Sequence, residues 1–258
     1  MTTKYFKNFG FTAYRFGDNE KPVLFPNVSQ YVDIIDGLKD NISFYNKHTI
    51  ISGDRPDTLS YRLYGTTDYY WTFFLMNDDM RISGWPVAQS DLLDVTKAKY
   101  PYRTVTTNAN LSESFEVGQI VYGNVSGTVG RIIKRNLDMG QLVIDTSLTP
   151  GAHFGNLPNL ENFGPTENIF YTSEEGAFYT ATLIKESEQY NSVHHYEDSK
   201  GLYVDLPIYD FGNFGQSKPV TYRDRVLNKN EKLKQIIVLK PSVIDTVVAE
   251  FNNFHLGV

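Results

Sequence analysis

At 258 residues, with 30 acidic against 24 basic side chains and a net charge of −6, the chain is long enough to bury a core. It is too acidic for nucleic acid or an anionic membrane to be its main partner. Having no cysteine, it cannot form disulfides, thiolate metal sites or a thiol nucleophile, and no apolar run approaches the roughly 18 residues that a membrane span needs.

Aromatic residues make up 14% of the chain, as 18 Tyr, 17 Phe and 2 Trp. So many rings in a moderately hydrophilic chain point to several small cores, or to surfaces that become buried in partners. Residues 1–45 read as an N-terminal arm. "YFKNFGFTAYRFG" and "VLFPNVSQYVDIIDGL" set aromatics and aliphatics among Gly, Pro and Asn without long periodicity. The opening lacks the charged-then-apolar layout of a secretory signal. Phe6, Phe9, Phe11, Tyr14 and Phe16 make the arm too apolar to stay in water, so they are candidate partner-binding residues.

Residues 46–101 hold a two-helix module, entered by a strand at "KHTIIS". Asp54 is placed to cap a first helix over residues 55–64, with Pro56 in its first turn. Leu59 and Leu63 share a face beside Tyr64, and Gly65 stops the helix in the left-handed conformation. A second helix near 68–76 carries Tyr70, Phe73 and Phe74 at helical spacing, and Asn77 ends it. Ser90 is expected to cap a third short helix carrying Leu92, Leu93 and Val95, closed by Pro101.

Residues 102–186 change character. "ESFEVGQIVYGNVSGTVGRIIKRNLDMGQLVIDTS" alternates β-branched and polar residues in short runs between glycines. That predicts a small antiparallel barrel or sandwich with strands around 117–122, 129–134 and 142–145. "LTPGAHFGNLPNLENFGPTENIFY" reads as loop-rich, and "AFYTATLIKES" as one more strand. Residues 187–258 predict a hairpin turning at Asp198–Gly201, a loop at "FGNFGQSKP", a charged turn through "KNEKLK" and a strand at Gln235–Leu239. A helix follows, with Ser242 as its cap and Ile244, Val247, Val248 and Phe251 on one face. Phe254 extends that face, so Phe251 and Phe254 join the candidate partner-binding residues. The fold class is therefore α+β and multi-module.

Little here supports catalysis. His194 and His195 are adjacent on a strand, which sends neighbouring side chains to opposite faces and keeps them from sharing a metal. Glu174–Glu175 or Glu186/Glu188 could serve as the paired carboxylates of a glycosidase, but no aromatic-lined cleft accompanies them. "YGNVSGTVG" lacks the Lys-Ser/Thr ending and following helix of a phosphate loop. Its glycines read as turns. No enzymatic activity, cofactor or metal site is expected.

Gly53-Asp54, Leu59-Ser60, Leu63-Tyr64-Gly65, Tyr70, Phe73-Phe74 and Asn77 together resemble a LysM module, in which these residues form the core. More widely, "GDRPDTLSYRLYG", "DYYWTFFLMND", "GWP" and "KYPY", with "NKNEKLKQIIVLKPSVIDTVVAEF" at the far end, are similar to the LysM-containing baseplate wedge subunit of contractile-tailed phages, the baseplate wedge protein 53 family. Residues from about 103 to 215 have no assigned counterpart in that family, and the sequence after Asn77 lacks a plain second LysM strand.

The resemblance implies a structural component of the virion, built into the tail baseplate after assembly in the host cytoplasm. It implies six wedge copies around the hub, joining neighbouring wedges and contacting sheath-initiator-like and wedge-core heterodimer-like subunits. A peptidoglycan-binding LysM module of a tail or cell-surface protein is the alternative. A LysM-anchored cell-wall hydrolase is weaker, for want of an acid/base pair.

Overall fold

The computed structural model describes residues 11–15, 17, 21–26, 39, 41–148, 162–164, 166–204 and 217–256, with 252–256 as backbone alone. In chain order come β1 (Phe11–Tyr14), β2 (Val23–Pro26), β3 (Tyr45–Thr49), α1 (Pro56–Tyr64), α2 (Trp71–Met76), α3 (Asp78–Ser83) and α4 (Leu92–Lys99). Next are β4 (Arg103–Thr107), β5 (Ile120–Gly123), β6 (Val129–Asn136), β7 (Gln141–Asp145), β8 (Asn168–Thr172) and β9 (Phe178–Glu188). The chain continues through β10 (Val193–Glu197), β11 (Tyr203–Val204), β12 (Lys218–Thr221), α5 (Tyr222–Leu233), β13 (Gln235–Leu239) and α6 (Ile244–Leu256). The fold is mixed α+β with several separate sheets. It divides into two compact units, residues 1–91 with 229–258, and residues 92–228.

In the first unit β3 pairs antiparallel with β13, from Gln235 opposite Thr49 to Leu239 opposite Tyr45. A strand exposes alternate side chains on opposite faces, and each face of β13 feeds its own core. Ile236 and Val238 pack with Ile50, Leu59, Phe73 and Met80. Leu239, with Ile237 at its edge, packs with Trp71, Leu75, Met76, Ile244, Val247 and Phe251.

Helix α1 begins one residue later than Asp54 would set it. Arg55 is the N-cap, and its N–H donates to Thr58 Oγ1 at 3.1 Å. Asp54 instead accepts from Ile51 N–H at 3.2 Å and from Arg62 at 2.7 Å, because Arg62 lies on the helix face above it. Gly65 closes the helix at φ 72°, its N–H bonded to Tyr61 O at 2.8 Å. Asn77 ends α2 and at once opens α3, a helix that the sequence pattern does not reveal. In the arm, β1 and β2 form an antiparallel hairpin, Phe11 opposite Pro26 and Tyr14 opposite Val23.

In the second unit six strands close into a barrel in the order β4-β7-β6-β5-β8-β9. Its core is filled by residues such as Val105, Phe115, Val121, Ile132, Leu142, Ile144, Ile169 and Leu183. Of the glycines in "YGNVSGTVG", Gly127 makes a turn at φ 68°. Gly130 serves packing, since a Cβ there would overlap Ile144 Cγ2 and lie 3.0 Å from Asp145 O. The buried Glu167 carboxylate holds the β5–β6 turn by accepting from the N–H groups of Val125 and Ser126 at 3.0 and 2.9 Å.

Beside the barrel, β10 lies between β11 and β12, and the β10–β11 turn closes with Gly201 N–H on Asp198 O at 3.0 Å. Three expectations are corrected in this unit and at its edge. "KNEKLK" lies in helix α5, which Thr221 and Asp224 open as a reciprocal cap: Thr221 N–H and Oγ1–H donate to Asp224 at 3.0 and 2.8 Å, and Asp224 N–H donates back at 3.1 Å. In α4 the buried positions are Leu92 and Thr96, with Leu93 and Val95 exposed and Ser90 Oγ donating to Asp91 at 2.6 Å. His194 and His195 do not diverge. A bulge between Val193 and His195 turns the strand, and their Nδ1 atoms meet at 2.9 Å.

Candidate functional site

Two residues of the LysM-like set, Asn77 and Tyr64, meet at the outer edge of β13. Antiparallel pairing alternates bonded and non-bonded residue pairs. Ile50 N–H bonds Lys234 O, and Lys240 N–H bonds Phe44 O, both at 2.9 Å. The even-numbered residues of β13 therefore face β3, and Gln235, Ile237 and Leu239 turn their N–H and C=O groups outward.

Asn77 covers the middle of that edge. Its Oδ1 accepts from Ile237 N–H at 2.9 Å, while its Nδ2 donates to Ile237 O at 2.9 Å and to Phe73 O at 2.8 Å. Only a primary amide supplies an acceptor and two donors at once. One side chain thus pairs with the edge as a third strand would. Tyr64 finishes the seal, its hydroxyl donating to Leu239 O at 2.9 Å. Burial pushes the Tyr64 hydroxyl pKa up, so it keeps its proton.

The rest of the set supports this clamp. Leu59 and Phe73 are fully buried, and Leu63, Tyr64, Phe74 and Trp85 pack against them. Tyr70 lines the neighbouring cluster. Trp85 Nε1 donates to Asp54 O at 2.7 Å, and the Arg62 guanidinium holds the Asp54 carboxyl below its usual range. Every side chain of the LysM-like set is committed to packing or hydrogen bonding within the chain.

Beside the clamp lies a groove of about 610 Å³ floored by Met76, Met80 and Ile236, with Asp78, Asp79, Lys47 and Lys232 among its lining residues. Lys39 bonds Asp78 at 2.9 Å. These are contact groups, with no nucleophile–base pair among them. The candidate glycosidase carboxylates are spent elsewhere. Glu186 and Glu188 both face Arg103, and Glu174–Glu175 form the turn between β8 and β9. Burial raises the Glu186 pKa in spite of Arg103. Among the described residues no group of three or more His, Cys, Asp or Glu is placed to hold a metal ion, and no helix is long and apolar enough to cross a membrane.

Of the candidate partner residues, Phe11 and Tyr14 stand on the β1–β2 hairpin, 71% and 58% exposed, with Val23, Leu24 and Phe25 also exposed. Phe6, Phe9 and Phe16 lie outside the described residues, as does the Phe254 side chain. Phe251 is corrected: it is 3% exposed, its ring 4.7 Å from Trp71. The apolar face of α6 is covered by this chain's own α2 and β13, which offer it a matching surface.

The LysM-like side chains of this module are used within the chain, although Tyr61 of the same helix stays 63% exposed. In the comparison of sequences, residues 6–128, just under half of the chain, match the family model of base plate wedge protein 53. No curated protein matches the chain. The matched model is that of a baseplate component.

Proposed function

We propose that the protein is a structural wedge subunit of a contractile phage-tail baseplate, assembled in the host cytoplasm and carried in the virion in six copies. It joins neighbouring wedges and contacts sheath-initiator-like and wedge-core heterodimer-like subunits. The observation that carries this reading is the family match over residues 6–128. Inside that stretch the LysM-like residues are used as core and as the clamp on β13, leaving the sugar-binding pattern to serve as architecture. The contact surface falls to the arm, where Phe11 and Tyr14 are exposed, together with Phe6, Phe9, Phe16 and Phe254. Rings of this kind are the usual anchors of protein interfaces. The match runs to residue 128 and so takes in β4 and β5, the first barrel strands, which the resemblance leaves without a counterpart.

The test is to co-express the full chain with the tail proteins encoded beside it and to measure co-purification, alongside titration with soluble peptidoglycan fragments. Stable co-purification that is lost on F11D/Y14D, with no saturable glycan binding, is expected. Micromolar glycan binding without any tail-protein complex would select the peptidoglycan-binding module instead.

A further inference from the structure

The bulge in β10 builds a linear chain of four polar groups in the second unit, and its donors and acceptors leave a single consistent proton arrangement. Arg225 on α5 places a guanidinium N–H 2.6 Å from His194 Nε2. Arginine has no acceptor and keeps its charge, so His194 Nε2 must accept, and the His194 proton sits on Nδ1. That proton points at His195 Nδ1, 2.9 Å away, which must therefore accept in turn. His195 carries its own proton on Nε2 and donates to Glu197 Oε1 at 3.0 Å.

Two adjacent histidines are thus held neutral and in opposite tautomers. The rings are fixed from the sides as well. Tyr203 of β11 stacks on His195 at 3.8 Å between centroids, and Tyr222 of α5 meets His194 edge-on at 4.8 Å. Tyr222 in turn packs on Tyr100. Lys134 of β6 adds positive charge near His194, Lys218 of β12 stands opposite Glu197 in register, and Gln141 of β7 donates to Val193 O at 3.2 Å.

We propose that this relay is an acid-released latch: protonation of His194 breaks it and loosens the β11–β10–β12 sheet from the first turns of α5. A second proton on His194 goes to Nε2, where it faces the Arg225 N–H. That proton cannot be accommodated without losing the bond that ties β10 to α5.

Burial, Arg225, His195 and Lys134 together lower the His194 pKa from 6.5 to about 4. A base whose folded pKa is depressed contributes full stability above the unfolded value and loses it as pH falls toward the folded one. The latch is therefore closed at pH 7 and weakens as the pH falls from 6.5 toward 4.

Two measurements on the full chain test this. Nitrogen-15 imidazole NMR at pH 7 is expected to place the His194 proton on Nδ1 and the His195 proton on Nε2. Hydrogen exchange at pH 7 and 4.5, corrected for intrinsic rates, is expected to show opening of residues 193–204 and 218–228 increased roughly tenfold or more, while barrel strand 141–145 is unchanged. H194Q, which keeps an acceptor for Arg225 and cannot titrate, should flatten that response. Should H194Q fail to fold, R225M decides: it removes the opposing donor and should move the opening midpoint up toward the ordinary histidine value. The same tautomer at both histidines, exchange in these segments that is unaffected by acid, or an R225M midpoint equal to wild type would overturn the latch.

Discussion

Asn77 illustrates how much one side chain can settle. Its amide answers both outward groups of Ile237 and a carbonyl of α2, tying the helical part of the first unit to a strand contributed from 160 positions along the chain. N77A leaves an N–H and a C=O at Ile237 without partners, at about 1–3 kcal/mol for each group left unsatisfied and buried. N77D keeps the acceptor but sets a carboxylate against two carbonyls, so it should be no milder than N77A. Both are measurable by denaturant unfolding followed through Trp71 and Trp85, which lie in this unit. An N77D protein as stable as wild type would mean that the edge is held by something else. In the barrel, G130A forces a methyl against the fully buried Ile144. Overpacking of this kind typically costs about 1–3 kcal/mol, which the thermal midpoint of the barrel would report.

At the scale of elements, the barrel closes through β9 on β4, where Arg103 is opposite Glu188 and Thr104 opposite Ser187. A fragment ending at residue 186 would cut that seam, so 102–190 is the fragment expected to unfold cooperatively by itself. A fragment of that length lacking a sigmoidal melt would show that the barrel leans on the rest of the chain. Much of this level was legible beforehand. Gly65 and the apolar spacing around it locate α1, and the β-branched run places β13 at Gln235–Leu239. What was hidden follows from physics that a linear pattern does not display. Helix α5 is so polar along "KNEKLK" that periodicity is silent, although Thr221 and Asp224 carry a three-residue cap spacing that could have announced it. The bulge at β10 was invisible because nothing in "SVHHYE" marks an extra residue, and the alternation rule then sent His194 to the wrong face. The role of Asn77 was out of reach, since its partner Ile237 is remote in sequence.

Across the molecule the aromatic surplus divides into rings spent at home and rings left outside. Trp71, Phe73, Phe115 and Phe251 fill cores. Phe251 looked like an external anchor because an amphipathic helix at a chain end has no partner visible in the sequence. Phe11 and Tyr14 stay on the surface of a two-stranded hairpin, a unit that is marginal by itself in water. F11D/Y14D should therefore leave the unfolding midpoints of both units within about 0.5 kcal/mol of wild type, yet stop incorporation into tails, as read by the composition of purified particles. The most direct measurement of the structural role is electron cryo-microscopy of the intact tail. Six copies of the chain are expected between adjacent wedges, with the β1–β2 hairpin buried against a neighbouring subunit and the Asn77 clamp intact. A baseplate lacking this chain, or one in which the hairpin faces solvent while the two-helix module holds a glycan, would contradict it.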